Sequence, residues 1–176
     1  MIFREMPLKG AWLIEPEPVK DERGLFARVY CRDELAAHGL DPALAQSSVS
    51  WNARRGTLRG MHYQVAPHAE VKLIRCTSGA IYDVVVDLRP GSPTFRRWTA
   101  AELTAENRLM LYVPQGFAHG FQTLRDGTEV LYQISEFHHP ESARGVRWND
   151  PAFGIEWPMS DPLLSARDRE WPPFVR

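Results

Sequence analysis

The sequence predicts a mainly β fold, a sandwich or barrel with few short helices, and three observations carry that prediction. Short strand-like runs follow one another at nearly regular spacing with turn signals between them. The clearest of these runs shows period-two alternation with β-branched residues. Helical signals are confined to two short segments. A chain of 176 residues, 44% hydrophobic and 24% charged, is long enough to bury a real core in one domain. Its 6 tryptophans and 14 prolines are high for a helical protein and ordinary for a loop-rich β protein.

Taken in order, the strand candidates are residues 24–30, 45–51, 56–64, 71–78, 80–88, 95–102, 110–113, 119–124 and 129–137. Residues 80–88 read AIYDVVVDL, with Tyr82, Val84, Val86 and Leu88 on one face. Ile81, Asp83, Val85 and Asp87 fall on the other, which mixes apolar and acidic groups. Arg89-Pro90-Gly91-Ser92-Pro93 then breaks the run, as two prolines and a glycine should. Residues 32–38 predict one short helix. Residues 161–169 predict another, with Asp161 as N-cap and Pro162 at the first helical position. The last six residues, WPPFVR, read as a surface tail. No repeat, low-complexity tract or Gly/Ser-rich linker divides the chain.

Charge narrows the function. The chain carries 21 basic and 22 acidic side chains, a formal net charge of -1. That balance argues against a general nucleic-acid or membrane-surface binder, while leaving room for a local basic cluster that holds one small anion. Cys31 and Cys76 are the two cysteines and read as reduced thiols. The start, MIFREMPLKG, is charged and does not read as a signal peptide. No window approaches the roughly 18 apolar residues of a membrane helix, so the expectation is a soluble, cytoplasmic protein with no membrane partner.

A small barrel predicts that a site lies inside its mouth, on inward-pointing side chains. Parity then picks out polar groups. Lys72 shares a face with Ile74 and Cys76, and Tyr132 with Val130, Ile134 and Glu136. His62 shares one with Leu58, Gly60 and Gln64, whereas Arg59 falls on the opposite parity. Arg59 and His62 can therefore serve one site only through a bulge near Gly60, which glycine permits. Singly, a strand histidine, lysine or tyrosine is commonly structural or solvated. Together with His119, a base, a cation and a phenol on neighbouring strands suit proton transfer next to a carbonyl.

Six blocks sharpen this reading: RGMHYQ (59–64), KLIR (72–75), YDVVVDLR (82–89), GSPTF (91–95), VPQGFAHGF (113–121) and RGVRWNDP (144–151). In this order, from about Asp21 to Asp168, they resemble the dTDP-4-dehydrorhamnose 3,5-epimerase family. The resemblance implies a cupin-type antiparallel β-barrel (jelly roll) with few short helices. It also implies one domain over residues 1–176, with a short C-terminal helix and tail, and a homodimer that exchanges an N-terminal strand. The implied reaction inverts C3 and C5, or one of the two, in a nucleotide-diphosphate-linked 4-keto-6-deoxyhexose of rhamnose-type deoxysugar biosynthesis, with no cofactor and no metal.

Carried over residue by residue, the resemblance makes His62 the base, Tyr132 the proton donor and Lys72 the cation beside the C4 oxygen, where enolate charge develops. Asp168 matches the carboxylate that pairs with His62, with Asp83 as second choice. Arg23, Phe26, Arg28, Gln46, Ser48, Arg59, His119 and Arg167 match nucleotide-binding positions, Arg23 reaching the partner subunit's site. Arg59 suits a diphosphate because a guanidinium binds such oxygens bidentately. Three positions depart from the family: Arg28 and Ala143 stand where it usually has glutamate, and Ser48 where it usually has asparagine. All three belong to the nucleotide rim, so thymidine preference is the open point. The rival readings are a 3,4-ketoisomerase of the same fold, a metal-dependent cupin and a non-catalytic sugar-nucleotide barrel. The metal reading suffers from Gln64, which stands where many metal cupins place a second histidine, and from His138 and His139, which read as loop residues.

Overall fold

The computed structural model describes residues 1–175. Its elements are β1 (Ile2–Glu5), β2 (Trp12–Glu15), β3 (Val19–Asp21), β4 (Gly24–Phe26), α1 (Arg32–Ala37), β5 (Gln46–Asn52), β6 (Leu58–Gln64), β7 (Lys72–Ser78), β8 (Ala80–Asp87), β9 (Trp98–Thr104), β10 (Met110–Val113), β11 (Phe117–Thr123), β12 (Thr128–Ile134), β13 (Ala143–Gly145) and α2 (Ala166–Glu170). The strands form a six-stranded sheet, β1-β2-β10-β7-β12-β5, a five-stranded sheet, β13-β6-β11-β8-β9, and a separate hairpin of β3 and β4. The two large sheets face each other, and the pairing between named strands is antiparallel.

The alternation of β8 is what builds this stack. Its Ile81 and Val85 point between the sheets and meet Ile74 and Cys76 of β7, Leu111 and Val113 of β10, Phe121 of β11 and Val130 of β12. Emptying one such site, for instance Phe121→Ala, costs about 3–5 kcal/mol in a close-packed core. Val84 and Val86, of the other parity, face outward, but Val146, Phe153 and Trp157 of the C-terminal segment cover them. The six-stranded sheet is covered likewise: Leu35 of α1 and Leu40 close over Ile14, Leu73 and Met110. Burial on both faces is why β8 and β10 carry apolar residues at both parities.

The two acids on the inner parity of β8 have different fates. Asp87 clamps the turn that follows it: it accepts from Arg89 Nε (2.9 Å), Ser92 Oγ (2.5 Å) and Thr94 Oγ1 (2.7 Å). Burial alone would raise its pKa, but these donors win and hold it at about 2. Asp83 serves a histidine, described below.

Several elements depart from expectation, each for a physical reason. The strand expected over 24–30 stops at Phe26, because Phe26 pairs with Val19 and the residue before Val19 is a proline, which cannot donate to a ladder. The strand expected from 95 begins at Trp98. Residues 94–97 stay in the turn, where Arg97 N donates to Thr94 O and Arg96 adopts φ +66°. The helix expected over 161–169 shrinks to α2, and Asp161 is not its cap. Leu163 is drawn into a bridge with Thr57, so the helix starts late and Ser165 Oγ caps it by accepting from Asp168 N at 3.1 Å. The tail is docked rather than loose. Phe174 packs on Phe153, ring centroids 5.2 Å apart, and its N–H donates to Asp150 at 2.6 Å. Strands β1, β2, β3 and β13 were outside the expected set.

The bulge required near Gly60 is present. His62 lies opposite His119 and Arg59 opposite Phe121, so β6 carries one more residue than β11 across this step. The strands cross very closely there: a Cβ on Gly60 would lie 2.8 Å from the Gly120 Cα, and one on Gly120 would lie 2.6 Å from Met61 Sδ. Only glycine fits either position, and the bulge turns Arg59 and His62 to the same side.

Candidate active site

Between β5, β7 and β12 on one side and β6, β11 and β13 on the other lies a cavity of about 470 Å³. Its wall includes Gln46, Ser48, Arg59, His62, Lys72, His119, Tyr132, Arg167 and Asp168, all expected at a site. Register explains the grouping. Tyr132 lies directly opposite Ser48, and Ile134 lies opposite both Gln46 and Lys72, so their side chains share the inner face. The bulge does the same for Arg59 and His62, and α2 closes the open end with Arg167 and Asp168.

His62 Nε2 and Asp168 Oδ1 are hydrogen-bonded at 2.5 Å, across 106 residues of sequence. Asp168 is buried, which would raise its pKa, yet the bond from His62 and a second from Trp171 outweigh burial and leave it below the usual carboxylate range. Trp171 Nε1 donates to the same Asp168 Oδ1 at 3.3 Å. The Trp171 ring stands edge-on to His62, centroids 6.1 Å apart, and Arg167 lies over its face at 5.0 Å. This indole fits because β13 offers Gly145, where any Cβ would collide with the ring.

Asp83 does not pair with His62. It accepts from His119 Nε2 at 2.6 Å, deep between β8 and β11. The reason is register: Asp83 lies two residues from Val85, the cross-strand partner of His119, on the same face and within diagonal reach. Burial pushes the His119 imidazole down more strongly than the Asp83 charge lifts it, so the ring is held neutral. Tyr132 packs edge-on against His119, and burial pushes its phenol up, keeping it protonated at neutral pH.

Lys72 donates to the His62 carbonyl at 3.3 Å and forms an ion pair with Glu70 Oε1 at 2.9 Å. Arg59 Nε donates to Asn52 Oδ1 at 2.8 Å, leaving the rest of its guanidinium to the cavity. Glu70, Asn52, Arg144 and Trp171 are the site residues that sequence reading missed. Glu70 carried a usable signal, since it is an acid two residues before Lys72, just ahead of the strand that carries the lysine.

Arg23, Phe26 and Arg28 lie elsewhere. Arg23 is exposed on the hairpin and pairs with Asp21, while Phe26 and Arg28 border a separate cleft with Glu17 and Glu34. Arg28 is bound to Glu34 at 2.8 Å. Of the departures from the family, Ser48 and Ala143 do line the cavity. Gln64 spends its amide on the two loops beside it, donating to the His68 and Phe137 carbonyls and accepting from His139 N. His138 reaches the cavity, and His139 stacks on His68 with centroids 3.5 Å apart.

Chemically, the arrangement offers an imidazole on one sheet paired with a carboxylate from α2, a phenol and an ammonium on the other sheet, and guanidinium groups nearby. That set can move a proton off and onto carbon next to a carbonyl while holding an anion.

Comparison with known proteins agrees with this chemistry. The family model described as dTDP-4-dehydrorhamnose 3,5-epimerase matches residues 5–176. A protein of that name from Sinorhizobium fredii is 43% identical over 173 residues, covering 98% of this chain and 89% of its own. A crystal structure of the Bacillus anthracis dTDP-4-dehydrorhamnose 3,5-epimerase, with TDP and PPi bound, superimposes with a TM-score of 0.95 at 43% identity and covers 98% of this chain and 99% of its own. A 4-keto-6-deoxy sugar epimerase of the novobiocin cluster of Streptomyces spheroides has a TM-score of 0.93 at 37% identity, covering 98% and 88%.

Proposed function

The chain belongs to the dTDP-4-dehydrorhamnose 3,5-epimerase family, and from that premise we propose that its cavity inverts C3 and C5 of a nucleotide-diphosphate-linked 4-keto-6-deoxyhexose. The protein is an isomerase of cupin-type β fold acting in deoxysugar biosynthesis. One observation carries the mechanism: His62 and Tyr132 project into one cavity from opposite sheets. Inversion needs a base on one face of the sugar ring and an acid on the other, and facing sheets supply both.

The hydrogens at C3 and C5 are α to the C4 ketone. His62 takes one of them through Nδ1, the ring nitrogen that Asp168 does not hold, and the C–H electron pair moves into the ring to give an enolate whose charge rests on the C4 oxygen. Asp168 stabilises the imidazolium that forms. The Lys72 ammonium meets the enolate oxygen, an interaction typically worth a few kcal/mol. The phenol of Tyr132 then protonates the carbon from the other face, the electron pair returns to form the C–H bond, and the C4 ketone is restored. Burial keeps that phenol in the protonated state a donor needs, while the nearby Arg59 charge favours the tyrosinate left behind. Arg59 and Arg167 hold the diphosphate. Gln46 and Ser48 lie along the nucleotide.

Ser48 and Ala143 make the base preference this chain's own question, and titration with dTDP, CDP and GDP answers it. The exposed hairpin of β3 and β4, with Phe26 almost fully in solvent, supports a homodimer, because a two-stranded ribbon is marginal alone. In that arrangement a single domain exchanges its N-terminal strand, and Arg23 and Phe26 complete the partner subunit's site. Among the described residues no helix is long and apolar enough to cross a membrane, and Cys31 and Cys76 are free thiols, which suits the cytoplasm.

Proton NMR in deuterium oxide with the 4-keto-6-deoxyglucose nucleotide tests the reaction. Exchange at C3 and C5 is expected. Exchange at one carbon makes the protein a single epimerase, and no exchange with any nucleotide form refutes the reading.

A further inference from the structure

Lys72 meets the cavity with a carboxylate beside it. We propose that Glu70 is a positioning residue for this reaction: it fixes the Lys72 ammonium so that one N–H is left for the C4 oxygen of the sugar. The proposal rests on the reading of the site given above.

An ammonium has three N–H donors. Here one goes to Glu70 Oε1 at 2.9 Å and one to the His62 carbonyl at 3.3 Å. The third is left to the cavity that Lys72 lines. Without an anchor, a four-carbon stem samples many rotamers, and the charge would not stand where the enolate oxygen forms. The pair is also well enclosed, with side chains 9% and 11% exposed. At that depth an ammonium with no counter-charge is costly, so Glu70 both holds the charge in the site and aims it.

The backbone under Glu70 is fixed on both sides. Val71 N donates to Ser135 Oγ at 2.8 Å, Ser135 N donates to the Val71 carbonyl at 3.0 Å, and Gln115 Nε2 donates to the Ala69 carbonyl at 3.2 Å. Glu70 is thus stapled to Ser135, the residue that follows β12, the strand that carries Tyr132. The C4 oxygen's cation and the carbon's proton donor are held in one frame, which is what a reaction passing charge between neighbouring atoms requires.

The test compares Glu70→Ala, Glu70→Gln and Lys72→Met by deuterium exchange at C3 and C5 and by calorimetric binding of dTDP. Glu70→Ala is expected to slow exchange about a hundredfold, the cost of a misplaced catalytic group, with dTDP affinity changed less than twofold. Glu70→Gln keeps an oxygen that accepts from the ammonium and is expected to restore exchange to within about tenfold of the unsubstituted protein. If Glu70 acts through Lys72, adding Glu70→Ala to Lys72→Met costs almost nothing further. Normal exchange in Glu70→Ala, a full additional loss in the double variant, or dTDP binding lost in parallel overturns the proposal. Absence of exchange in the unsubstituted protein overturns instead the reading of the site, and the proposal falls with it.

Discussion

His62 and His119 are cross-strand partners on β6 and β11, and each holds an aspartate, yet the two pairs are built for different work. His62 is 39% exposed to the cavity, whereas His119 is 4% exposed and its aspartate not at all. The carboxylate of the open pair arrives from α2 at the far end of the chain. That of the closed pair comes from the neighbouring strand β8. Composition is identical, so surroundings alone separate them. The open imidazole can take a proton from a substrate and return it to water. The closed one is pushed towards its neutral form by burial, and Asp83 Oδ2 finds no hydrogen-bond partner among the described residues. Such a pair orders the cavity wall behind Tyr132 rather than exchanging protons.

Removing the open pair's base should have the largest effect. His62→Ala is expected to lower kcat about a thousandfold, within the usual range for a general base, read as loss of exchange at C3 and C5. Near-normal exchange would mean that another group is the base. The aspartates then separate the two roles. Asp83→Ala leaves a buried, neutral imidazole N–H without its acceptor and should cost about 2–3 kcal/mol in urea unfolding. Asp168→Ala should cost about 1 kcal/mol, since the imidazole it leaves is 39% exposed and can turn its N–H to water, while slowing exchange about a hundredfold. If both variants lost stability equally and activity equally, the distinction between the pairs would collapse.

Acid should expose the closed pair as well. The His119 pKa lies below its ordinary value of 6.5, so the unfolded chain takes up the proton first as pH falls. The associated stability is present above that value and is lost on acidification below it, by at most about 1.4 kcal/mol per pH unit from this one group. Asp83, His62 and Lys72 are the charged groups that act on this ring. Urea midpoints at pH 7 and pH 5 should therefore fall more steeply for the unsubstituted protein than for His119→Gln. Equal slopes would show that His119 is not held neutral.

The open pair was half legible in the sequence, and parity explains which half. Alternation put Lys72 and Tyr132 on inner faces and demanded a bulge to bring Arg59 beside His62, and β6 supplies it. Parity put Asp83 on one face with Ile81, Val85 and Asp87, but parity cannot say which way that face turns or which histidine its acid meets. That depends on cross-strand register, which sets Asp83 diagonal to His119. Glu70 was within reach too, an acid two residues before Lys72. The C-terminal elements were not. A five-residue helix has no periodicity to detect, its Asp161 cap signal was defeated by the Thr57–Leu163 bridge, and Trp171 in a Pro-rich tail looks like surface. Its place against Gly145 is a tertiary fact.

That tail residue supplies the smallest effect, and the one that tests how far the open pair extends. Trp171 gives Asp168 Oδ1 a second donor, at a length that marks a weak bond. Trp171→Phe keeps an aromatic ring near Gly145 and removes the N–H together with the second ring of the indole. A hydrogen bond to a carboxylate contributes roughly 1.5–3 kcal/mol, and this long one belongs at the low end, so kcat/KM should fall about tenfold, with stability changed by less than about 1.5 kcal/mol. Gly145→Ala should do more, because its methyl displaces the indole and with it the wall that backs both Asp168 and Arg167. If Trp171→Phe matched Gly145→Ala, the N–H and the second ring would account for the whole effect. If it matched the unsubstituted protein, the open pair would end at His62 and Asp168, and the indole would serve only to seat α2.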